Sequence, residues 1–349
     1  MYKKFFMGIA AMAALTLVSC SSDDLNSLSD NSSKNEAISF DSYLGRSAVA
    51  VNGSRGSEET KETLKADGFG VFSKYNGTAS FPDFVNQKVT CPGTKWTYSP
   101  LKFWPTQGQI DFFAYAPYVA NKTLNNTSFE FAVAADVANQ TDLLWANAKN
   151  QAKTDKEPVK FTFNHALSRL GYTVKLYGNY SSEDATNKAT FKLNQITLAG
   201  SADGKTLAFY KTATIDLSMA PSSKGPWSNY VGRQNYDWVS TPYDLTSTDA
   251  YTPNKENNYL FVIPQNFSEK IGGVENPDKL YVIVDYTITY KDGKTQTNKV
   301  YRQLKQNFEQ GRAYMINMTI GLPIEFDAEV KEWGTDNPVG EDSWVDINH

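Results

Sequence analysis

The sequence predicts an all-β protein, and three observations carry that prediction. Short apolar or alternating segments recur along nearly the whole chain, punctuated by Gly, Pro, Asn-Gly and Asp-Gly, which is the pattern of strands joined by turns. Aromatic residues make up 13% of the 349 residues, with 20 Tyr and 20 Phe, and these side chains favour strands over helices. Beyond an amino-terminal export segment, somewhat over three hundred residues remain, which at ~100–200 residues per domain suggests two domains.

The export segment is read from the first twenty residues. Lys3 and Lys4 are followed by an almost unbroken apolar run from Phe5 to Val18, then Ser19 and Cys20. Residues 1–19 therefore form a secretory signal, too short and wrongly flanked to span a membrane as a helix. The ending Leu17-Val18-Ser19-Cys20 resembles the bacterial lipoprotein box. That resemblance implies a thioether from the Cys20 thiol to diacylglycerol and cleavage that leaves Cys20 as the new amino terminus. Each buried methylene contributes about 0.8 kcal/mol, so several acyl chains on one residue hold a protein to a bilayer. Residues 20–36 read as a flexible tether, being rich in Ser, Asn and Asp without apolar periodicity. Ser21 resembles the residue that sends lipoproteins to the outer membrane. Asp23 and Asp24 resemble surface-export signals of Bacteroidetes lipoproteins.

The strands follow in order. Residues 37–44 (AISFDSYL) open with Ile38 and Phe40 on one face. Residues 68–75 alternate and lead to an Asn76-Gly77 turn; 81–89 and 95–98 are further short strands; 110–115 (IDFFAY) is a buried strand stopped by Pro117. Residues 128–133 place Phe129, Phe131 and Val133 on one face, and 143–146 and 158–164 follow. A helical turn is expected at 165–170. The second series comprises 171–177, 190–199, 206–210, 212–217, the apolar run 259–264, the hairpin 280–290 and 294–304 across Asp292-Gly293, and finally 313–320 and 323–333. Residues 221–251, rich in Trp, Tyr, Ser and Pro, read as a connection or a surface excursion.

Composition narrows the chemistry. The net charge is −4, and no basic patch or RNA-binding motif appears, which argues against nucleic acid. With Cys20 acylated, Cys91 has no partner for an internal disulfide. His165 and His349 are the only histidines, so a His-rich metal site or a His-dependent triad has little material. Neither Gly-x-Ser-x-Gly nor His-Glu-x-x-His occurs, and no EF-hand spacing or phosphate loop is found. The reading is of a protein that is not an enzyme and needs no cofactor. His165 reads as a capping or packing residue, and Trp333 as a core plug.

Five phrases in succession carry a family resemblance: residues 102–117 (KFWPTQGQIDFFAYAP), 142–146 (DLLWA), 161–176 (FTFNHALSRLGYTVKL), 260–265 (LFVIPQ), and 308–320 (FEQGRAYMINMTI) followed by 330–333 (VKEW). In this order, they resemble the Bacteroidetes fimbrillin-like proteins. The resemblance implies two stacked β-sandwich domains of transthyretin-like topology, at 37–165 and 166–349, in a surface-exposed pilus component with a role in adhesion. It also implies export as an outer-membrane lipoprotein, cleavage by an arginine-specific protease, loss of a first strand, and filling of the vacated groove by a strand from another pilus subunit. The removable strand would be Ile38–Leu44, and the candidate processing sites are Arg46 at its end and Arg55 in the more exposed Gly53-Ser54-Arg55-Gly56, with Arg55 preferred; the alternative is that neither is cut and the protein stays lipid-anchored, as an anchor-type subunit would. Residues 343–347 are short for a strand donated by a stalk subunit, which favours a tip, accessory or anchor role. The alternative is a glycan-binding surface lipoprotein, in which Trp227, Tyr230, Tyr236 and Trp238 stack on sugar faces.

Overall fold

The structure is a computed structural model. It describes residues 36–44, 59–153, 157–181, 188–220, 225–246, 248–250 and 259–321, and the backbone of 325–332. The signal segment, the tether to residue 35, Arg46, Arg55 and Trp333 lie outside the described residues. No helix among the described residues is long and apolar enough to cross a membrane.

In chain order, the first strands are β1 (Phe40–Leu44), β2 (Phe69–Tyr75), β3 (Gln87–Val89), β4 (Ile110–Ala116), β5 (Ser128–Ala132), β6 (Leu144–Gln151) and β7 (Val159–His165). They continue as β8 (Ser168–Leu176), β9 (Ala189–Ala199), β10 (Phe209–Asp216), β11 (Trp227–Gln234), β12 (Tyr236–Val239), β13 (Tyr243–Leu245), β14 (Leu260–Val262) and β15 (Gln265–Asn266). The last are β16 (Lys270–Ile271), β17 (Val274–Glu275), β18 (Tyr281–Tyr290), β19 (Thr295–Gln303), β20 (Asn307–Phe308), β21 (Arg312–Ile320) and β22 (Glu325–Glu332). One short helix, α1 (Lys61–Asp67), starts on a Thr60–Thr63 capping box.

A six-stranded sheet runs in the order β1-β7-β6-β4-β2-β3, and a three-stranded sheet runs β11-β10-β5. The remaining main sheets are β12-β9-β18-β19, with β13 also on β9, and β14-β8-β21-β22. The middle of the six-stranded sheet is buried on both faces, whereas β7 leaves Lys160 and Thr162 exposed. Along β4, Ile110, Phe112, Ala114 and Ala116 enter one apolar cluster, while Phe113 and Tyr115 enter another. β6 divides likewise, with Leu144 and Ala146 against Trp145. Side chains alternate across a strand, so a sheet covered on both sides needs a continuous apolar run, which IDFFAYA supplies.

The structure departs from the sequence expectations at identifiable places. No helical turn forms at 165–170, because β7 ends at His165 and β8 begins at Ser168. Ala166 donates its N–H to the Leu143 carbonyl, which draws that connection against β6. Residues 206–217 give one strand and not two, 81–89 give only the three residues of β3, and 95–98 give an isolated bridge of Thr97 with Thr90. Asn76-Gly77 does not close a two-residue hairpin, since β2 pairs with β3 and β4. Residues 221–251 contribute β11, β12 and β13. Most consequentially, β10 pairs with β5 over Thr212↔Ala132 to Asp216↔Ser128, so one sheet joins strands from either side of residue 165.

That pairing continues into the core. Phe129 on β5, Ile215 on β10 and Trp227 on β11 belong to the same cluster as Tyr172, Leu193, Val284 and Ile316 farther along the chain. Ile215 is fully buried and lies opposite both Phe129 and Trp227 in the ladder. Ile215→Ala should lower stability by about 2–5 kcal/mol. Urea denaturation followed by tryptophan fluorescence would measure it; a loss below 1 kcal/mol would mean that the β5–β10 junction is peripheral.

Candidate functional site

The site with functional potential is the bed of the first strand. Residues 36–44 change neighbours part-way along. The first part lies against 102–104: Ile38 N–H donates to the Lys102 carbonyl at 2.8 Å, and Trp104 N–H donates to the Glu36 carbonyl at 2.9 Å. From Ser39 onward it lies on β7, where Val159 N–H donates to the Ser39 carbonyl at 2.8 Å, and β1 then runs parallel from Phe40↔Val159 to Leu44↔Phe163. The Tyr98 hydroxyl donates to the Ile38 carbonyl at 2.7 Å, and burial raises its pKa, which keeps it a donor.

Side-chain recognition is one-sided. Ile38 and Phe40 are 1% and 4% exposed, whereas Tyr43 is 52% exposed. The Phe40 ring sits among Phe84, Tyr98, Phe112 and Phe161, with centroid separations of 5.4, 5.4, 5.5 and 5.6 Å, two of them edge-on and the Phe161 contact stacked. Leu44 packs on the rim of the same cluster. Burying Ile38 and Phe40 is worth roughly 1.5–3 kcal/mol for each side chain. On the outer face, the Tyr43 hydroxyl donates to Asp41 at 2.7 Å.

The chain re-enters the described structure at Glu59, where hydrogen bonds to groups outside β1 hold it. The Glu59 N–H donates to Asp142 Oδ2 at 2.9 Å, and the same oxygen lies 2.8 Å from His165 Nδ1. Asp142 and His165 are buried, so His165 serves as a packing and hydrogen-bonding residue, in line with the sequence reading. The Thr63 hydroxyl donates to Glu59 Oε2 at 2.9 Å. Burial, reinforced by the charge of Asp142, pushes the Glu59 carboxyl up to about 8. Leu64 of α1 is buried in the cluster that also receives Phe40. Glu59 stands in no motif, and Asp142, although it opens the phrase at 142–146, carries no sequence signal of this contact.

The proposed glycan platform is not laid out on the surface. Trp227, Tyr236 and Trp238 are buried, and Tyr230 alone is exposed. The Trp227 indole N–H donates to the Ala166 carbonyl at 2.7 Å, and Trp238 packs edge-on against Tyr172 at 5.1 Å. The Tyr236 hydroxyl accepts from Gln234, and burial raises its pKa strongly. Tyr230 leans on Tyr210, centroids 4.6 Å apart, and Tyr210 carries the Arg233 guanidinium 4.5 Å from its centroid. These aromatics are core because β11 and β12 turn them inward, against β8 and the 165–168 connection. Among the described residues, no group of His, Cys, Asp and Glu is placed to hold a metal ion.

Two predictions follow from this geometry. Phe40→Ala should cost about 3–5 kcal/mol in the affinity of the first strand for its bed. Hydrogen exchange at Val159 and along β7 would report it as accelerated opening, and unchanged protection there would show that Phe40 does not anchor the strand. Glu59 is a carboxyl whose folded pKa lies above its ordinary 4.5, so its contribution to stability is full below pH 4.5 and is lost as pH rises towards 8. Glu59→Gln should therefore match the parent protein near pH 4.5 and exceed it by about 1–3 kcal/mol at pH 8; equal stabilities at both pH values would refute the assignment.

Comparison with known proteins adds three similarities. The family model described as Fimbrillin-like matches residues 57–333. Over 381 aligned residues, the chain is 23% identical to the fimbrium subunit Fim1C of Phocaeicola vulgatus, covering 94% of this chain and 96% of that one. Among solved structures, a Bacteroides ovatus protein provisionally assigned to cell adhesion superimposes with a TM-score of 0.49 at 15% identity, covering 87% of this chain and 100% of the other. A fimbrial assembly protein from Parabacteroides distasonis gives 0.42 at 11% identity, covering 86% and 99%.

Proposed function

Because the chain belongs to the fimbrillin-like family, a structural and not an enzymatic one, we propose that it is a surface-displayed fimbrium subunit with a role in adhesion that assembles by strand exchange. The segment Ile38–Leu44 is the resident strand of the assembly slot. Cleavage after Arg55, or after Arg46, frees it, and a strand from another subunit takes its place by β-augmentation. Cys20 anchors the precursor to the outer membrane through its acyl chains. In this reading, the chain forms two β-sandwich units of transthyretin-like topology divided near His165, and β10 and β11 reach back across the division to β5.

The observation that carries this reading is the separate attachment of the two chain segments that flank the arginines. Residues 36–44 are held through one face and two edges, and the chain from Glu59 is held by Asp142 and α1. A cut between them leaves both ends in place and makes the first strand a non-covalent ligand of its own fold. Burial of Trp227, Tyr236 and Trp238 removes the aromatic platform that glycan binding would use.

Limited digestion of the folded, lipid-free protein with an arginine-specific protease tests the proposal. Expected is one cut at Arg55 or Arg46, located by mass spectrometry, that is lost in the double Arg46→Lys, Arg55→Lys variant when the protease accepts only arginine. Unboiled denaturing gels of the cut product then show a ladder of stable oligomers for a polymerising subunit, or a monomer that captures another subunit's strand for a terminal one. Resistance at both arginines, or collapse of the fold on cutting, would overturn it.

A further inference from the structure

A second open edge has the features of a strand-accepting site, and it stands apart from the slot of the first strand. Native sheets blunt their edges with very short strands, bulges or prolines. The edge strands β3 and β14 have three residues each. β11 has a register shift against β10, with positive φ at Asn229 and Gly232. β12 has a shift between Asp237 and Val239. β19 has none of these: it has nine residues, no glycine or proline, and pairs one-to-one with β18 from Tyr281↔Gln303 to Thr289↔Thr295. β22 is as regular against β21 with eight residues, and the one edge-guarding charge exposed on β19 is Lys299.

The ladder fixes which backbone groups remain outward. At one end, Tyr290 N–H donates to the Lys294 carbonyl, and at the other, Leu304 N–H donates to the Leu280 carbonyl. Antiparallel pairs alternate between bonded and non-bonded. Gln296, Asn298, Val300 and Arg302 therefore bond to β18, while Thr295, Thr297, Lys299, Tyr301 and Gln303 turn their N–H and C=O groups to the open edge. The side chains of Thr295, Thr297, Lys299 and Tyr301 are themselves exposed, and Tyr301 meets Tyr281 edge-on at 6.1 Å.

Charge selects the partner. Lys294 is paired with Asp292 at 2.7 Å and Lys305 with Glu269 at 2.8 Å. Among the described residues, no ion pair engages Lys291, Lys299 or Arg302, and the carboxylate opposite Lys299 in the ladder, Asp285, accepts from Asn194 at 2.7 Å. A second copy of β19 laid antiparallel about Lys299 would set that lysine against its own kind, and like charges placed opposite are destabilising. We infer that β19 is a docking edge for an extended acidic segment of another protein chain, which adds as a strand beside it and sets a carboxylate against Lys299, while Arg302 lies on the other face of the strand.

The test uses the full lipid-free chain and a short capped peptide alternating Glu with Val, with a Lys–Val peptide as control. Residue-level amide exchange by NMR is the readout. The acidic peptide should slow exchange at Thr295, Thr297, Lys299, Tyr301 and Gln303, leave the even-numbered amides of β19 at their existing slow rates, and leave the exchange of β7 unchanged. Lys299→Glu should weaken its binding about fivefold. Tyr301→Pro removes one outward N–H without touching the β18 ladder and should abolish protection of the neighbouring odd-numbered amides. Equal protection by the Lys–Val peptide, or no protection at all, would overturn the inference. Protection confined to β7 would overturn it too, while supporting the slot of the first strand. If Lys299→Thr makes the chain self-associate while the parent ignores the acidic peptide, Lys299 is only a guard against aggregation and the inference also fails.

Discussion

A strand satisfies only half of its backbone hydrogen-bonding groups unless it has a neighbour on each side, and this constraint governs the first nine residues of the described fold, 36–44. Residues 36–44 serve two edges in succession, first 102–104 and then β7. Taking them away would strand the Val159 and Trp104 N–H groups and the Lys102 carbonyl and empty the pockets of Ile38 and Phe40. An unpaired buried group costs about 1–3 kcal/mol, and each apolar pocket adds a term of similar size. An empty slot is therefore a high-energy state that another strand lowers, provided it offers apolar side chains two residues apart and an aromatic at the second.

The remainder of the structure makes that slot rigid. The middle of the six-stranded sheet is packed on both faces, so Phe112 beneath Phe40 is backed by the cluster of Phe113, Tyr115 and Trp145 on the far side. That cluster runs through β5 and β10 into the later sheets. A groove cut into a two-sided sheet keeps its shape when emptied better than one in a thin layer, because the residues lining it also have contacts behind them.

Alternation in the sequence exposed most of this. Phe161 and Phe163 on one face of β7, the inward run of β4, the 280–304 hairpin and the Ile38/Phe40 pair were all legible, because burial on one or both faces leaves a period-two or continuous apolar record. What was not legible depends on tertiary neighbours. Trp227, Tyr230, Tyr236 and Trp238 have the composition of a sugar platform, yet composition carries no information on which way a strand faces, and β11 and β12 turn three of the four inward. The connection at 165–168 looked helical from its local residues but is drawn against β6 by the Ala166–Leu143 hydrogen bond. The pairing of β5 with β10 joins residues about eighty positions apart and leaves no local signature. The contact of Glu59 with Asp142 was invisible for the same reason.

The covalent link between strand and fold has its own energetic role. Fourteen residues join Leu44 to Glu59. While they are intact, a strand that leaves its bed remains at an effective concentration in the millimolar range or above, and it returns before a free competitor can enter. Cutting the link leaves the contacts of Ile38 and Phe40 untouched but lets a departed strand diffuse away. Because Glu59 is fixed by Asp142 and by the cap of α1, the new chain end does not unravel into the vacated bed. A cut in this segment thus shifts the exchange equilibrium towards a competing strand while the intrinsic affinity of the slot stays the same. This is the property needed to keep a subunit inert during export and receptive afterwards.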